Sequence, residues 1–162
     1  MKKNKLYMMI GCPGSGKSTY AKTHFTNATY VSRDEIRFKL VPEDEEYFSK
    51  EDEVFTTFIN MIDKELKLGN DVIADATHLN SFSRMKLLAS LDIDKNKTEI
   101  VAVFMNTPLD ICIKRNENRK GTRAYVPKSV IRRMFFSLKK PNRKECCSMI
   151  DTIQIIPEVG VL

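Results

Sequence analysis

An apolar run that ends in a glycine-rich turn leaves a chain few ways to continue. Here Leu6-Tyr-Met-Met-Ile10 is followed at once by Gly11-Cys-Pro-Gly-Ser-Gly16-Lys17-Ser18-Thr19. The second segment is a complete G-x-x-x-x-G-K-[ST] match, which needs a buried strand before it and a helix after it. Its glycines admit backbone conformations that a Cβ opposes, so the free N–H groups of the loop can curl around an anion. The helix that follows turns its positive end toward the same point. Such a unit fits only a fold in which strands and helices alternate.

The rest of the chain alternates in that way. Strands are expected at Thr29–Ser32, Asp71–Asp75, Glu99–Phe104 and Thr152–Ile156. Helices are expected from Lys17 to about Phe25, over 50–68, at Phe82–Leu91, from Leu109 to about Asn116, and at Pro127–Leu138. In the longest of these, Val54, Phe55, Phe58, Ile59, Ile62 and Leu66 recur at helical spacing, and Gly69-Asn70 stops the run. The expectation is one α/β domain over 1–162. It has three layers, a mainly parallel sheet of about five strands, helices on both faces and a basic lid. In such folds ligands sit at the carboxyl ends of the strands, so the residues just after each strand carry the chemistry.

Composition narrows the class further. The chain is 42% hydrophobic and 30% charged, which suits a globular protein and not a disordered one. No apolar run has the length of a membrane span, and the N-terminus does not read as a secretory signal, so a cytoplasmic protein is expected. Cys12, Cys112, Cys146 and Cys147 lack metal-site spacing and are expected as reduced thiols, with no disulfide-linked partner. Cys12 lies within the loop and is a candidate for oxidant sensitivity.

The net charge of +6 is unevenly spread. Residues 114–144 hold twelve Lys or Arg against the single acid Glu117, whereas residues 43–53 hold seven acids. A basic fifth on an otherwise acidic chain suits a polyanion such as a nucleotide or a nucleic acid.

The loop makes Gly11, Cys12, Pro13, Gly14, Ser15, Gly16, Lys17, Ser18 and Thr19 candidate nucleotide contacts. ATP and Mg²⁺ are the expected ligands. Lys17 would reach the β/γ-phosphates, and the Ser18 hydroxyl and the strand-end Asp75 would serve the metal. No guanine-reading N-K-x-D segment is present, which excludes a switch GTPase. After the second strand, Asp34 is placed to accept the proton of an attacking hydroxyl. Arg37 shares its helix face and suits an acceptor phosphate. Ser32-x-x-Glu35 also reads as a capping box, which would make the same segment simply a helix start. Thr77, Asn80 and Arg84 follow Asp75 on the acceptor side, while His78 carries no assigned role. Arg115 and Arg119 stand four apart in the basic region and read either as a lid over the nucleotide or as a solvated helix end.

Taken in order, Gly11 to Thr19, Arg33-Asp34-Glu35-Ile36-Arg37, Asp75-Ala-Thr-His-Leu-Asn80, and Arg115-Asn116 through Arg119 to Val126-Pro127 resemble the kinase domain of the phage polynucleotide 5′-kinase/3′-phosphatase family. The likeness covers roughly Lys5 to Leu138. The resemblance implies that Asp34 activates a 5′-hydroxyl and Arg37 holds the acceptor's 3′-phosphate. It also implies that Arg119 acts on the transferring phosphate, that Arg115 and Val126 flank the adenine, and that a nucleic-acid 5′ end is the partner. Two features depart from the pattern. The stretch between Arg119 and Val126 is longer by two residues, which leaves Lys120 and Arg123 as alternative lid cations, and no D-x-D-x-T phosphatase segment follows. A kinase for a small acceptor, such as a nucleotide-sugar, and a non-catalytic nucleotide- or RNA-binding module are the competing readings.

Overall fold

The computed structural model describes residues 2–158. The strands are β1 (Asn4–Ile10), β2 (Thr29–Ser32), β3 (Val72–Asp75), β4 (Thr98–Asn106) and β5 (Thr152–Pro157). The helices are α1 (Lys17–His24), α2 (Arg33–Leu40), α3 (Glu51–Lys67), α4 (Ser81–Ser90), α5 (Leu109–Glu117) and α6 (Lys128–Ser137), with a 3-10 turn at Cys146–Ser148. All strand pairs are parallel, in the order β2-β3-β1-β4-β5. The expected α/β sheet of five strands is therefore present.

Alternation along the central strand sorts the two faces. Leu6, Met8 and Ile10 pack with Val54, Phe58, Ile62, Leu87 and Leu88, which places α3 and α4 over one face. Met9 packs with Ala21, Ile73 and Val103 on the other, under α1, where Tyr7 stacks on Phe25 at 3.8 Å between ring centroids. The expected helical stripe of α3 is buried at Val54, Phe58, Ile59, Ile62 and Leu66. Its first turn carries Glu51, Asp52 and Glu53 and its last carries Lys64 and Lys67, charges that complement the helix dipole. Gly69 then takes φ +85, a left-handed conformation that ends the helix.

Caps fix the helices nearest the carboxyl edge. Ser32 accepts a hydrogen bond from the Glu35 N–H at 3.2 Å, so the segment after β2 is a capped helix. Asn80 and Ser83 form a full capping box on α4. Pro127 stands at the N-cap of α6, one position before the first helical residue. Among the described residues no helix is long and apolar enough to cross a membrane.

The register sets the site. Ser32 is paired with Asp75, and Met8 with Ala74, so the loops after β2, β3 and β1 open on one edge. The Gly11 N–H donates to the Thr77 carbonyl at 3.0 Å, joining the loop after β1 to the turn after β3. His78, with φ 44, locks that turn by bonding its Nδ1 to the Met9 carbonyl at 2.6 Å.

Burial pushes the His78 imidazole down to about 4, against the opposing pull of the Met9 bond. The neutral ring is therefore the folded form, whereas the unfolded chain takes a proton near pH 6.5. Stability is expected to fall as pH drops from 6.5 toward 4, by on the order of 2 kcal/mol. His78→Asn keeps a residue tolerant of positive φ and an N–H donor. Urea unfolding across that pH range should be flatter in this variant than in the parent.

Candidate active site

The phosphate loop is shaped by what its glycines leave out. Gly14 and Gly16 have φ +82 and +89, and a Cβ on Gly14 would lie 2.4 Å from the Cys112 carbonyl oxygen. The loop thus closes against the backbone of α5, which no side chain at position 14 would permit. The Thr107 hydroxyl at the end of β4 donates to the Ser15 carbonyl at 2.8 Å. Lys17 opens α1, and its ammonium has no hydrogen-bond partner among the described residues.

Asp75, only 4% exposed, lies beside the loop. The Ser18 hydroxyl donates to its Oδ2 at 2.5 Å, and the Tyr30 hydroxyl donates to the same oxygen. Burial, together with the Asp75 charge, pushes the Tyr30 phenol well above its ordinary value, so Tyr30 remains a donor. Asp75 Oδ1 is buried without a partner. An unpaired carboxylate oxygen next to a hydroxyl is a hard-oxygen donor set, and it fits Mg²⁺.

On the β2 side, Asp34 and Arg37 lie in the first two turns of α2, as expected, and are joined at 2.7 Å. Asp34 is exposed, and its Oδ1 also accepts from the Tyr47 hydroxyl at 3.0 Å. Its Oδ2 has no partner among the described residues. Arg37 is buried and held by Glu51, which also binds Arg33 at 2.5 Å. Burial disfavours the Glu51 carboxylate, but the Arg37 bonds outweigh it and hold its carboxyl below the usual range. The acid-rich segment therefore meets the acceptor side directly, through Glu51.

Over the loop, Arg115 Nη1 lies 3.4 Å from the Gly14 carbonyl oxygen. The buried side chain of Asn116 clamps Val126 from both sides, donating to its carbonyl at 2.6 Å and accepting from its N–H at 3.0 Å. The stretch after α5 is thereby folded back over the helix. Arg123 donates to the Phe38 and Val41 carbonyls at 2.9 and 2.7 Å, closing the C-terminal end of α2. With Arg123 engaged there, the Arg119 guanidinium has no hydrogen-bond partner among the described residues, and Lys120 is exposed.

Comparison with known proteins bears on this arrangement. The AAA domain family matches residues 6–141. The chain belongs to this AAA domain family. One chain of a solved Pnkp1/Rnl/Hen1 RNA repair complex is 25% identical with TM-score 0.71, over 85% of this chain and 45% of that one. This protein therefore spans less than half the length of that RNA repair chain. A fungal RNA kinase shares the fold at 13% identity and TM-score 0.60, over 96% of this chain and 75% of that one. A sugar kinase from Janibacter sp. HTCC2649 does so at 15% identity and TM-score 0.65, over 96% and 86%. The AAA domain here has the P-loop kinase fold, which implies nucleotide binding, and its likeness to polynucleotide kinases is supported.

One expected residue of the AAA domain takes another place. Arg84, expected at the acceptor, is fully buried; it bonds Glu145 through Nε and Nη2 at 2.7 and 3.1 Å and the His78 carbonyl through Nη1 at 2.8 Å. An acceptor cannot reach it, so the assignment is corrected to a structural ion pair. Asn80 spends its carbonyl oxygen on the α4 cap, and Thr77 offers its backbone oxygen to Gly11. Cys12 is 1% exposed, and burial with Cys112 alongside pushes its thiol up to about 12. That keeps it in the unreactive protonated form and argues against the expected oxidant sensitivity. Tyr30, Tyr47, Glu51 and Asn116 were assigned no role in the sequence; Glu51 left a signal as a member of the acidic run and Asn116 as part of the Arg115-Asn116 motif.

Because the Arg84–Glu145 pair is buried on both sides, Glu145→Ala should strand a guanidinium and lower the unfolding free energy by about 3–5 kcal/mol. Urea midpoints measure this. ATP affinity below the unfolding transition should be unchanged.

Proposed function

We propose that this protein transfers the terminal phosphoryl group of ATP to a hydroxyl, and that the hydroxyl is the 5′ end of a polynucleotide. The observation that carries the reading is Asp34: an exposed carboxylate with one oxygen held by Arg37 and Tyr47 and the other unengaged. A nucleotide-binding module has no use for such a group, whereas phosphoryl transfer requires one near the carboxyl edge where the phosphate loop opens.

In this reading the loop amides and Lys17 hold the β- and γ-phosphates of ATP, and Ser18 and Asp75 hold Mg²⁺. A Mg²⁺ held there would supply charge neutralisation of the β- and γ-phosphates. Asp34 Oδ2 accepts the hydroxyl proton as the oxygen attacks the γ-phosphorus in line, and the ADP oxygen leaves. Arg119 reaches over from the lid and offsets the negative charge spread on the transferring group. Arg115 and Val126 border the adenine. The polynucleotide assignment is supported by the order of motifs along the chain, by the 25% identical RNA repair chain and by the basic stretch 114–144. A small-molecule acceptor is the second reading, favoured by the acids around the Arg37–Glu51 pair.

The test is incubation with γ-labelled ATP and a panel of 5′-hydroxyl DNA, 5′-hydroxyl RNA, nucleosides and nucleotide-sugars. Label should appear on oligonucleotide ends, and Asp34→Ala should lose about 10²–10⁴-fold in rate while ATP affinity is retained. Label on small acceptors alone selects the second reading. Tight ATP binding with no transfer to any acceptor contradicts both.

Arg119→Ala should lose a further about 10³-fold or more in turnover with little change in ATP affinity, measured in the same assay. If ATP affinity collapses instead, Arg119 is a nucleotide contact and not a group acting on the transferring phosphate.

A further inference from the structure

A guanidinium donates from three nitrogens, and all three of Arg37 are engaged. Nε donates to Glu51 Oε2 at 3.1 Å, and Nη2 donates to Glu51 Oε1 and Oε2 at 2.8 and 3.0 Å. Nη1 donates to Asp34 Oδ1 at 2.7 Å and to the Tyr47 hydroxyl at 3.1 Å. The rings of Tyr47 and Phe48 lie against the guanidinium, 4.7 and 5.4 Å from its central carbon. Only 6% of the side chain is exposed. An arginine in this state has no unengaged nitrogen and little open surface for an incoming phosphate.

The charge arithmetic points the same way. Arg33 and Arg37 are balanced by Glu51 and Asp34, so the cluster is neutral before any acceptor arrives. The adjoining segment adds Glu43, Asp44, Glu45, Glu46, Asp52 and Glu53. A phosphate that displaced Glu51 from the fork would leave an ionised carboxylate beside it, in a region already rich in acids. Like charges at that distance repel, and the exchange gains no new pairing for Arg37.

We propose that Glu51 is the specificity-determining residue of the acceptor side. It occupies the Arg37 fork as an acceptor phosphate would, so the protein phosphorylates a hydroxyl without reading a phosphate beside it. Arg37 is then a positioning residue, which fixes Asp34 Oδ1 and leaves Oδ2 toward the hydroxyl. This inference rests on the kinase reading above and deepens it: the acceptor is a hydroxyl end recognised by its sugar and base, and polynucleotide phosphates further along fall to the basic stretch 114–144.

The test compares initial rates on two 5′-hydroxyl oligonucleotides that differ only at the first linkage, a phosphodiester in one and an uncharged methylphosphonate in the other. The wild-type protein should use both within about threefold, whereas Glu51→Gln, with the fork opened, should favour the charged linkage by about tenfold or more. A merely structural role for Glu51 would lower both rates together and leave the ratio alone. A wild-type preference of about tenfold or more for the charged linkage overturns the proposal, as does an unchanged ratio in Glu51→Gln. If that variant does not fold, the wild-type ratio decides by itself.

If no oligonucleotide is labelled, the polynucleotide reading has failed, and the proposal about Glu51 is decided by binding. With the loop filled by a non-hydrolysable ATP analogue, inorganic phosphate should leave the wild-type Tm unchanged and raise that of Glu51→Gln. A wild-type rise that Arg37→Lys removes overturns the proposal.

Discussion

One carboxylate oxygen, Asp75 Oδ2, receives hydrogen bonds from two parts of the chain that the sequence keeps far apart. Ser18 donates from the start of α1 and Tyr30 from β2, across the edge of the sheet. Three strands are thereby tied at their carboxyl ends: β1 through the phosphate loop, β3 through Asp75 itself, and β2 through Tyr30. The tie is possible because parallel pairing sets Ser32 opposite Asp75 and Ala74 opposite Met8. Two donors on one oxygen leave Oδ1 without a partner in a buried setting. Such a group is costly unless something binds there, and a divalent cation at Oδ1 would offset that cost.

From this tie the two halves of the site diverge in charge. On the nucleotide side the cations remain open: Lys17 has no partner among the described residues, and Arg115 borders the loop. On the acceptor side each cation is met by an anion of the chain itself, Arg33 and Arg37 by Glu51 and Asp34. A polyphosphate is accordingly attracted to the loop more than to the side that carries Asp34. Arg123 links the two halves by bonding the stretch after α5 to the last carbonyls of α2, the helix that carries Asp34. The stretch after α5 and the helix that carries Asp34 are thus joined through one side chain.

Much of the fold was legible in the sequence because its signals are local. Apolar periodicity located α3, the Gly11–Thr19 pattern fixed the junction of β1 and α1, and Ser32 with Glu35 marked the start of α2. The place of the loop residues, Asp34, Arg37 and Asp75 at the carboxyl edge was legible for the same reason, since Asp75 ends a strand and the others follow one. What could not be read is pairing across distance. Arg84 has the sequence context of an acceptor contact, yet Glu145, far along the chain, buries it. Glu51 was visible only as part of an acidic run that sat awkwardly with a nucleic-acid track, and its partner is Arg37, fourteen positions earlier. The Asn116–Val126 clamp likewise depends on how the lid folds back, which no spacing rule specifies.

The central claim is direct transfer from a loop-bound nucleotide to a hydroxyl delivered by Asp34, with no phosphorylated side chain in between. The stereochemical course at the transferred phosphorus tests it most directly, using ATP made chiral at the γ-position with oxygen isotopes and whichever acceptor takes the label. A single in-line displacement predicts inversion of configuration in the product. Net retention, which requires two displacements and hence a phosphorylated intermediate on the protein, would contradict the account.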